Sequence, residues 1–402
     1  MKYVILGNSA AGFFAATKLR DICEDDEIVV ISRENTPVYS KIMLPYYIGN
    51  EITRDKLFLK DKDFYDKKHI KLVLDKKIMG IDTEKNIIIG EDGWSMAYDK
   101  LLIATGGRPF IPPIDGIDKV EFFTINSIED ADRIKGCAQT GGRAIVLGSG
   151  LTGIEMSIAL SNLGMHVTML EMGDRILPMQ LDNDASNIME TQLKKLGIST
   201  MLKNTIHKVY ITDEGIKRTE LMDGQQLEFD LLLLAIGTRP DLSIIEGTSI
   251  KHNRGILVNE YMETSIKNIY AAGDIAEIKS DKNEGYVSSY IWPNAMAQGR
   301  CAASNMAGNH ESFDGAAFQN VVQIRNMDFY SMGLIKPNDD GYDILINYDK
   351  NNGIYKKIVI KDNAILGMVM LGDTLHTTEI SNIIKNNRQV SKEQLDTYLS
   401  IR

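Results

Sequence analysis

Short apolar runs closed by glycine or a polar turn recur along the chain. Tyr3-Val4-Ile5-Leu6 and Ile28-Val29-Val30-Ile31 lie near the start, Ala144-Ile145-Val146-Leu147 and His166-Val167-Thr168-Met169-Leu170 further on. Each has the length and continuous apolarity of a strand buried on both faces. An apolar stretch after Met1-Lys2 can also mimic a signal peptide, but the residues after Leu6 make a glycine turn into a helix. Near the end, Tyr342–Tyr348, Ile354–Ile360 and Ala364–Leu371 read as three successive strands. Asn351-Asn352-Gly353 and Lys361-Asp362-Asn363 supply the turns between them. Helical stretches follow over Thr377–Asn386 and Ser391–Ser400, and Ser391-Lys392-Glu393-Gln394 is close to a capping box.

The first two pairs of runs frame glycine turns. Gly7-Asn8-Ser9-Ala10-Ala11-Gly12 follows Leu6 directly, a dinucleotide fingerprint with serine in place of its second glycine. Gly148-Ser149-Gly150-Leu151-Thr152-Gly153 follows Leu147 and is the full pattern, with Glu155 just inside the next helix. The first glycine permits the strand-to-helix turn, the middle position lets backbone approach a pyrophosphate, and the third lets helix and strand pack closely. The helix N-terminus offers free N–H groups to phosphate. Glu171 lies 23 residues after Gly148, where an acid accepts hydrogen bonds from an adenosine ribose diol and repels a 2′-phosphate. Met172 adds no cation beside it, so the second copy reads as an NADH site, with Arg175 the residue that could reverse this. In the first copy Glu34 is the ribose candidate, and Arg33 occupies the more usual place.

An internal repeat links the copies. Tyr98-Asp99 leads through an apolar run to Ala104-Thr105-Gly106, and Phe229-Asp230 leads likewise to Gly237. The intervals from the first fingerprint glycine are 99 and 89 residues. The chain therefore reads as two nucleotide-binding modules of one design. Asn268–Asp274 adds a strand ending in Gly273-Asp274, and Ile291–Met296 opens a helix with Pro293 in its first position.

Composition narrows the class. At 402 residues, with 44% hydrophobic and 25% charged, the chain is long enough for two to three globular domains and is not a disordered or fibrous sequence. No apolar run approaches the ~20 residues of a membrane span. A net charge of -10 disfavours nucleic-acid binding. Residues 51–77 run against that balance, with nine Lys/Arg and six Asp/Glu. Such a segment is either a solvated face or a docking patch for an acidic partner. Three cysteines fit a reducing cytoplasm.

In this order, Gly7–Gly12, Ala104–Gly106, Gly148–Gly153 and Ala271-Ala272-Gly273-Asp274 resemble the motifs of two-dinucleotide-binding-domain flavoproteins, the pyridine nucleotide-disulfide oxidoreductase superfamily. Tyr39-Ser40-Lys41 with Leu44–Tyr47, and Trp292–Met296, are similar to patterns in NADH:rubredoxin oxidoreductases and in the flavin portion of NADH-dependent nitrite reductases. The resemblance implies an α/β fold with two Rossmann-like domains and a small α+β C-terminal domain. FAD would occupy a discontinuous domain of residues 1–112 and 243–318, NADH a domain of residues 113–242, with an interface domain over 319–402. Its FAD site would use Gly7, Ser9, Ala10, Ala11, Gly12, Arg33, Glu34, Lys41, Ala104, Thr105, Gly106, Arg108 and Gly273. Ile78 would meet the adenine, Asp274 the ribityl chain, and the helix after Trp292 the flavin C2 carbonyl. The NADH site would use Gly148, Gly150, Leu151, Thr152, Gly153, Glu171 and Met172, with Gly237 lining the nicotinamide channel. Lys41 and Glu155 would form an ion pair near the reacting rings.

Many members keep a reactive cysteine or disulfide beside the flavin; here the matching position is Ser40. Cys23, Cys137 and Cys301 lie far apart, show no metal-ligand spacing, and read as packing residues in helices. Without a thiol relay, electrons would leave the flavin directly for a rubredoxin, a ferredoxin or an iron–sulfur partner subunit. The 319–402 piece shows no chemistry; members of the family use it for homodimer contact or to shape the flavin site.

Overall fold

A computed structural model describes residues 1–280, 285–313, 319–324, 327–337 and 341–401. The chain divides into two interleaved units. Met1–Leu44, Thr53–Arg108 and Thr238–Ala316 form the first, and Pro45–Ile52, Pro109–Gly237 and Ala317–Arg402 form the second.

In the first unit the runs Tyr3–Leu6 and Ile28–Ile31 are strands, Lys2–Leu6 and Glu27–Ile31. They sit inside a five-stranded sheet ordered Ile269–Ala271, Lys100–Ile103, Lys2–Leu6, Glu27–Ile31, Ile70–Val73, with every neighbour parallel. Val4, Ile5, Val29 and Leu101 are fully buried, which is why these strands do not alternate apolar with polar. Helix Ala10–Ile22 follows the first strand, and a second helix, Trp292–Met306, packs on it. That crossing depends on Gly299, where a Cβ would stand 2.2 Å from the Ala11 carbonyl oxygen. Trp292 opens this helix, so Pro293 is its second residue; the tertiary amide is tolerated there because no intrahelical acceptor awaits its missing N–H. A three-stranded antiparallel ribbon, Ile78–Asp82, Ile87–Gly90 and Ser95–Ala97, is inserted before Lys100–Ile103.

The second unit repeats that plan. Its parallel sheet runs Ile198–Leu202, His166–Glu171, Arg143–Leu147, Leu231–Leu234, and a ribbon of Ile206–Ile211, Lys217–Leu221 and Gln226–Glu228 precedes the last strand. The same unit contains the C-terminal sheet. Its order is Gln319–Ile324, Met327–Gly333, Ala364–Leu371, Ile354–Lys361, Asp343–Asp349, all antiparallel. Three of these are the strands expected from the sequence; the other two extend the sheet on its opposite side. Phe318, the last residue of the expected FAD domain, lies outside the described residues. Asp362 and Asn363 both have positive φ, giving the two-residue hairpin turn that Asp and Asn tolerate. Helices Thr377–Lys385 and Lys392–Leu399 cover this sheet over a core containing Ile358, Met368, Ile380 and Tyr398, and Ser391 and Gln394 form the capping box. Among the described residues no helix is long and apolar enough to cross a membrane.

Candidate functional site

The first fingerprint turn is built by close backbone approach. Gly7 has φ +110°, and a Cβ there would lie 2.1 Å from the Ala104 carbonyl oxygen. A Cβ on Gly12 would lie 1.9 Å from the Gly7 oxygen. The turn thus joins the end of strand Lys2–Leu6 to Ala104-Thr105-Gly106, and the Ala104 N–H donates to the Leu6 oxygen at 2.8 Å. Ser9 is the extended N-cap of helix Ala10–Ile22, and Ala10 and Ala11 form its buried first turn. That turn carries no acidic residue, so the positive helix end is uncompensated by the chain.

A cleft of about 350 Å³ opens over this turn. Gly7, Ser9, Ala104, Thr105 and Arg108 line it from the strand ends. Arg33, Glu34 and Lys41 line it from the chain beyond the second strand, and Ile78 from the first residue of the ribbon. Asn8 and Thr36 line it too, and Asn8 Nδ2 and Thr36 Oγ1 are buried without a hydrogen-bond partner among the described residues. Such orphaned donors belong where a polar ligand completes them. Asn8 Oδ1 accepts from the Tyr65 hydroxyl at 2.7 Å, which fixes the direction of its amide. A glycine cradle, a bare helix N-terminus and waiting polar atoms fit the pyrophosphate-bearing half of FAD.

The expected ribose acid of the first module, Glu34, lines the cleft just beyond a strand end. Strand register pairs Leu6 with Ile31 and, in the second module, Leu147 with Leu170. The residue one step beyond is Ser32 in the first module and Glu171 in the second. Glu34, two residues further, accepts from the Tyr39 hydroxyl at 2.5 Å and pairs with Lys41 Nζ at 3.4 Å. Arg33 is exposed.

Asp274 and Trp292 lie in the same unit but do not line the cleft. Burial pushes the Asp274 carboxyl up to about 6, against the opposing effect of Lys41. The Gly273 N–H donates at 2.7 Å to Oε1 of Gln298, a fully buried residue of helix Trp292–Met306 that the sequence did not single out. Ser40 is buried, and its N–H donates to the Leu57 oxygen at 2.9 Å. None of the three cysteines is in a disulfide; Cys301 is buried, Cys23 is partly buried at a helix end, and Cys137 is exposed and so is not a packing residue.

The second fingerprint has the same construction. Gly148 has φ +106°, with a Cβ there 2.5 Å from the Ala235 oxygen, and a Cβ on Gly153 would lie 2.0 Å from the Gly148 oxygen. Gly150 caps helix Leu151–Asn162, whose first turn, with Leu151 and Thr152, again carries no acid. The Glu171 carboxylate accepts from the Ser149 N–H at 3.0 Å, the Ser149 hydroxyl at 2.6 Å and the Gly173 N–H at 2.7 Å. Met172 is 74% exposed beside it. Arg175 turns into its own loop, donating to Asp174 Oδ1 at 2.7 Å and the Leu181 oxygen at 3.2 Å. Gly237 has φ +103°, and its carbonyl accepts from the Phe110 N–H at 3.0 Å. Glu155 keeps a solvent-facing edge, yet burial lifts its carboxyl to about 7.

Residues 1–299 match the family described as pyridine nucleotide-disulphide oxidoreductase, and residues 320–388 match the rubredoxin NAD+ reductase C-terminal domain. The chain is 33% identical over 393 residues to an assimilatory nitrate reductase electron transfer subunit of Bacillus subtilis, covering 97% of this chain and 50% of that protein. It is 29% identical to a nitrite reductase [NAD(P)H] of the same organism, covering 97% of this chain and 48% of that protein. The chain thus spans about half the length of both. Among solved structures it is similar to NADH:rubredoxin oxidoreductase from Clostridium acetobutylicum, with a TM-score of 0.79, 26% identity, and coverage of 98% and 99% of the two chains. With two fingerprint modules built alike and a matching C-terminal domain, the chain belongs to the pyridine nucleotide-disulphide oxidoreductase family.

Proposed function

We propose that this chain is an FAD-dependent NADH oxidoreductase that passes electrons to a small iron protein of rubredoxin or ferredoxin type without a redox-active thiol. The observation that carries the reading is the pair of bare fingerprint helices, one per module, with Ser40 where the family's thiol would stand. When bound, FAD supplies the two-electron to one-electron conversion that such a reaction needs.

The chain's own residues have distinct tasks. In the first module Gly7, Ser9 and the start of helix Ala10–Ile22 hold phosphate. Glu34 and Ser32 face the ribose side, and Lys41, paired with Glu34 at 3.4 Å, contributes positive charge to the same cleft. Asp274, positioned through Gly273 and Gln298, binds ligand hydroxyls. In the second module Gly148, Gly150 and Gly153 hold the NADH pyrophosphate, Glu171 the ribose, and Gly237 the nicotinamide passage. Glu155 sits one turn into the fingerprint helix as a carboxyl that burial raises to about 7, so that it is part protonated near neutrality. The corresponding division is an FAD domain of residues 1–112 and 243–318, an NADH domain of 113–242, and a C-terminal domain of 319–402. A cytoplasmic location accords with three cysteines and no disulfide.

A second reading, a flavin subunit relaying electrons between an iron–sulfur enzyme and NAD(H), is favoured by the match to the nitrate reductase electron transfer subunit. Anaerobic titration with NADH, followed by a panel of rubredoxins and ferredoxins, tests the first reading. It expects bleaching of one bound FAD per chain and rapid reoxidation by an iron protein. A chain that binds no flavin after reconstitution sinks both readings. Flavin bleaching with no acceptor in the panel, and copurifying iron–sulfur subunits, decides for the second.

A further inference from the structure

Lys356 and Lys357 are neighbours in strand Ile354–Lys361, and their exposures are only 2% and 6%. Lysine is almost never this buried unless paired. Adjacent strand residues point to opposite faces, so the two ammonium groups serve different partners. Lys356 Nζ reaches Asp373 at 2.7 Å and the Ser400 oxygen at 2.6 Å, both in the C-terminal piece. Lys357 Nζ reaches Asp182 Oδ2 at 3.0 Å, and the Tyr355 hydroxyl, on the same face, donates to that oxygen at 2.5 Å.

Asp182 closes the loop that begins after Glu171. It is the N-cap of helix Asn183–Lys195, accepting from the Ala185 N–H at 3.2 Å. Lys336 Nζ, also from the C-terminal piece, donates to the Pro178 oxygen in the middle of the loop. Next to Pro178 is Leu177, fully buried with φ +47°, a conformation that a leucine keeps only where its surroundings hold it. The Leu177 N–H donates to the Ser149 oxygen at 3.1 Å, and Ser149 holds Glu171 through both its N–H and its hydroxyl. Continuous contacts therefore run from two lysines of the C-terminal piece, through the loop, to the fingerprint serine and the ribose acid.

We infer that Lys357 and Lys336 are positioning residues of the second nucleotide site. They hold loop 172–182 through Asp182 and Pro178, so that the loop fixes Ser149 and Glu171 for an adenosine ribose. The inference rests on the reading that the second module binds NADH. The C-terminal sheet then has a task in nucleotide selection rather than in chemistry.

The test measures NAD+ and ADP-ribose binding by calorimetry to the FAD-containing protein. Variants Lys357→Met and Lys336→Met should each weaken both ligands roughly three- to tenfold. They should also narrow the preference for NADH over NADPH, while FAD content stays that of the parent. Lys357→Arg should restore binding. Lys356→Met is the control: it removes an equally buried cation from the opposite face, and should lower the urea midpoint without moving either dissociation constant. Should Lys357→Met fold poorly, Asp182→Asn is read instead, with hydrogen exchange across 172–181 expected to quicken. Binding by Lys357→Met or Asp182→Asn within twofold of the parent overturns the proposal, as does an equal loss in Lys356→Met. A parent that binds neither ligand overturns the NADH reading itself and this inference with it.

Discussion

Ser32 and Glu171 stand at the same step of two similar strands, yet one is a hydroxyl and the other a carboxylate held by three donors. A fixed carboxylate cannot swing away from a 2′-phosphate. Like charges a few ångströms apart cost on the order of 1–4 kcal/mol at intermediate dielectric. NADH should therefore be favoured over NADPH by roughly fivefold to several hundredfold in kcat/KM. Glu171→Ala should narrow that gap, and equal efficiencies in the parent would refute the reasoning. Glu155 makes a second prediction. Its folded-state carboxyl titrates near 7, against an ordinary 4.5, because burial disfavours the charged form. Between those values the folded chain keeps a proton that the unfolded chain has released, so this residue's effect is to lower stability as pH rises from 4.5 to 7. Glu155→Gln should gain stability relative to the parent at pH 8 compared with pH 5. The gain should be on the order of 1–2 kcal/mol, less than the full shift because Glu155 keeps a solvent-facing edge. Denaturant midpoints at the two pH values check this; an identical difference at both would mean that the carboxyl is already ionised in the fold at neutral pH. The glycines of both turns were legible in the sequence because their requirement is local backbone geometry. The burial of Glu155, the engagement of Glu34 with Tyr39 and the role of Gln298 were not, because each depends on chain that arrives from elsewhere.

The parallel strands, too, were readable from continuous apolarity, and the two modules proved alike beyond the fingerprints, since each inserts a three-stranded ribbon directly before the strand that leads to its second glycine turn, Lys100–Ile103 in one and Leu231–Leu234 in the other. That ribbon carries no nucleotide motif to mark it. The C-terminal sheet has two strands that the sequence did not announce, because Gln319-Asn320-Val321-Val322-Gln323-Ile324 breaks the alternation on which a strand is recognised. Helix packing gives the prediction at this scale. Helices Ala10–Ile22 and Trp292–Met306 touch where Gly299 meets the Ala11 backbone, and backbone cannot rotate out of the way. Gly299→Ala should cost roughly 1–3 kcal/mol by overpacking. It should also loosen FAD, because neighbouring Gln298 holds Gly273. Gly136, in helix Ile128–Cys137, has nothing within 4 Å of an added methyl and no positive φ. Gly136→Ala should instead stabilise by about 0.4–1 kcal/mol. Urea unfolding and the flavin-to-protein ratio measure both; equal effects at the two sites would mean that the helix crossing relaxes freely.

A chain with net charge -10 repels an acidic electron carrier at long range, so any productive encounter needs a local exception. Residues 51–77 supply one, and Lys56 and Lys60 within it are exposed. The stretch lies against the cleft-lining loop, since the Leu59 N–H donates to the Val38 oxygen at 3.0 Å. Reversing both charges, Lys56→Glu with Lys60→Glu, should slow association with an acidic iron protein roughly three- to tenfold while leaving flavin reduction by NADH unchanged. Stopped-flow mixing separates the two steps, and an unaltered acceptor rate would return the segment to an ordinary solvated face. The interleaving of the units also sets an order of events on the ribosome. The second module's parallel sheet is complete once residue 234 has emerged, whereas the first module's sheet waits for Ile269–Ala271 to pair with Lys100–Ile103. At 5–20 residues per second the Lys100–Ile103 edge stays open for roughly 10–30 s while the insert is made. The later-encoded module can thus finish folding before the module that begins the chain.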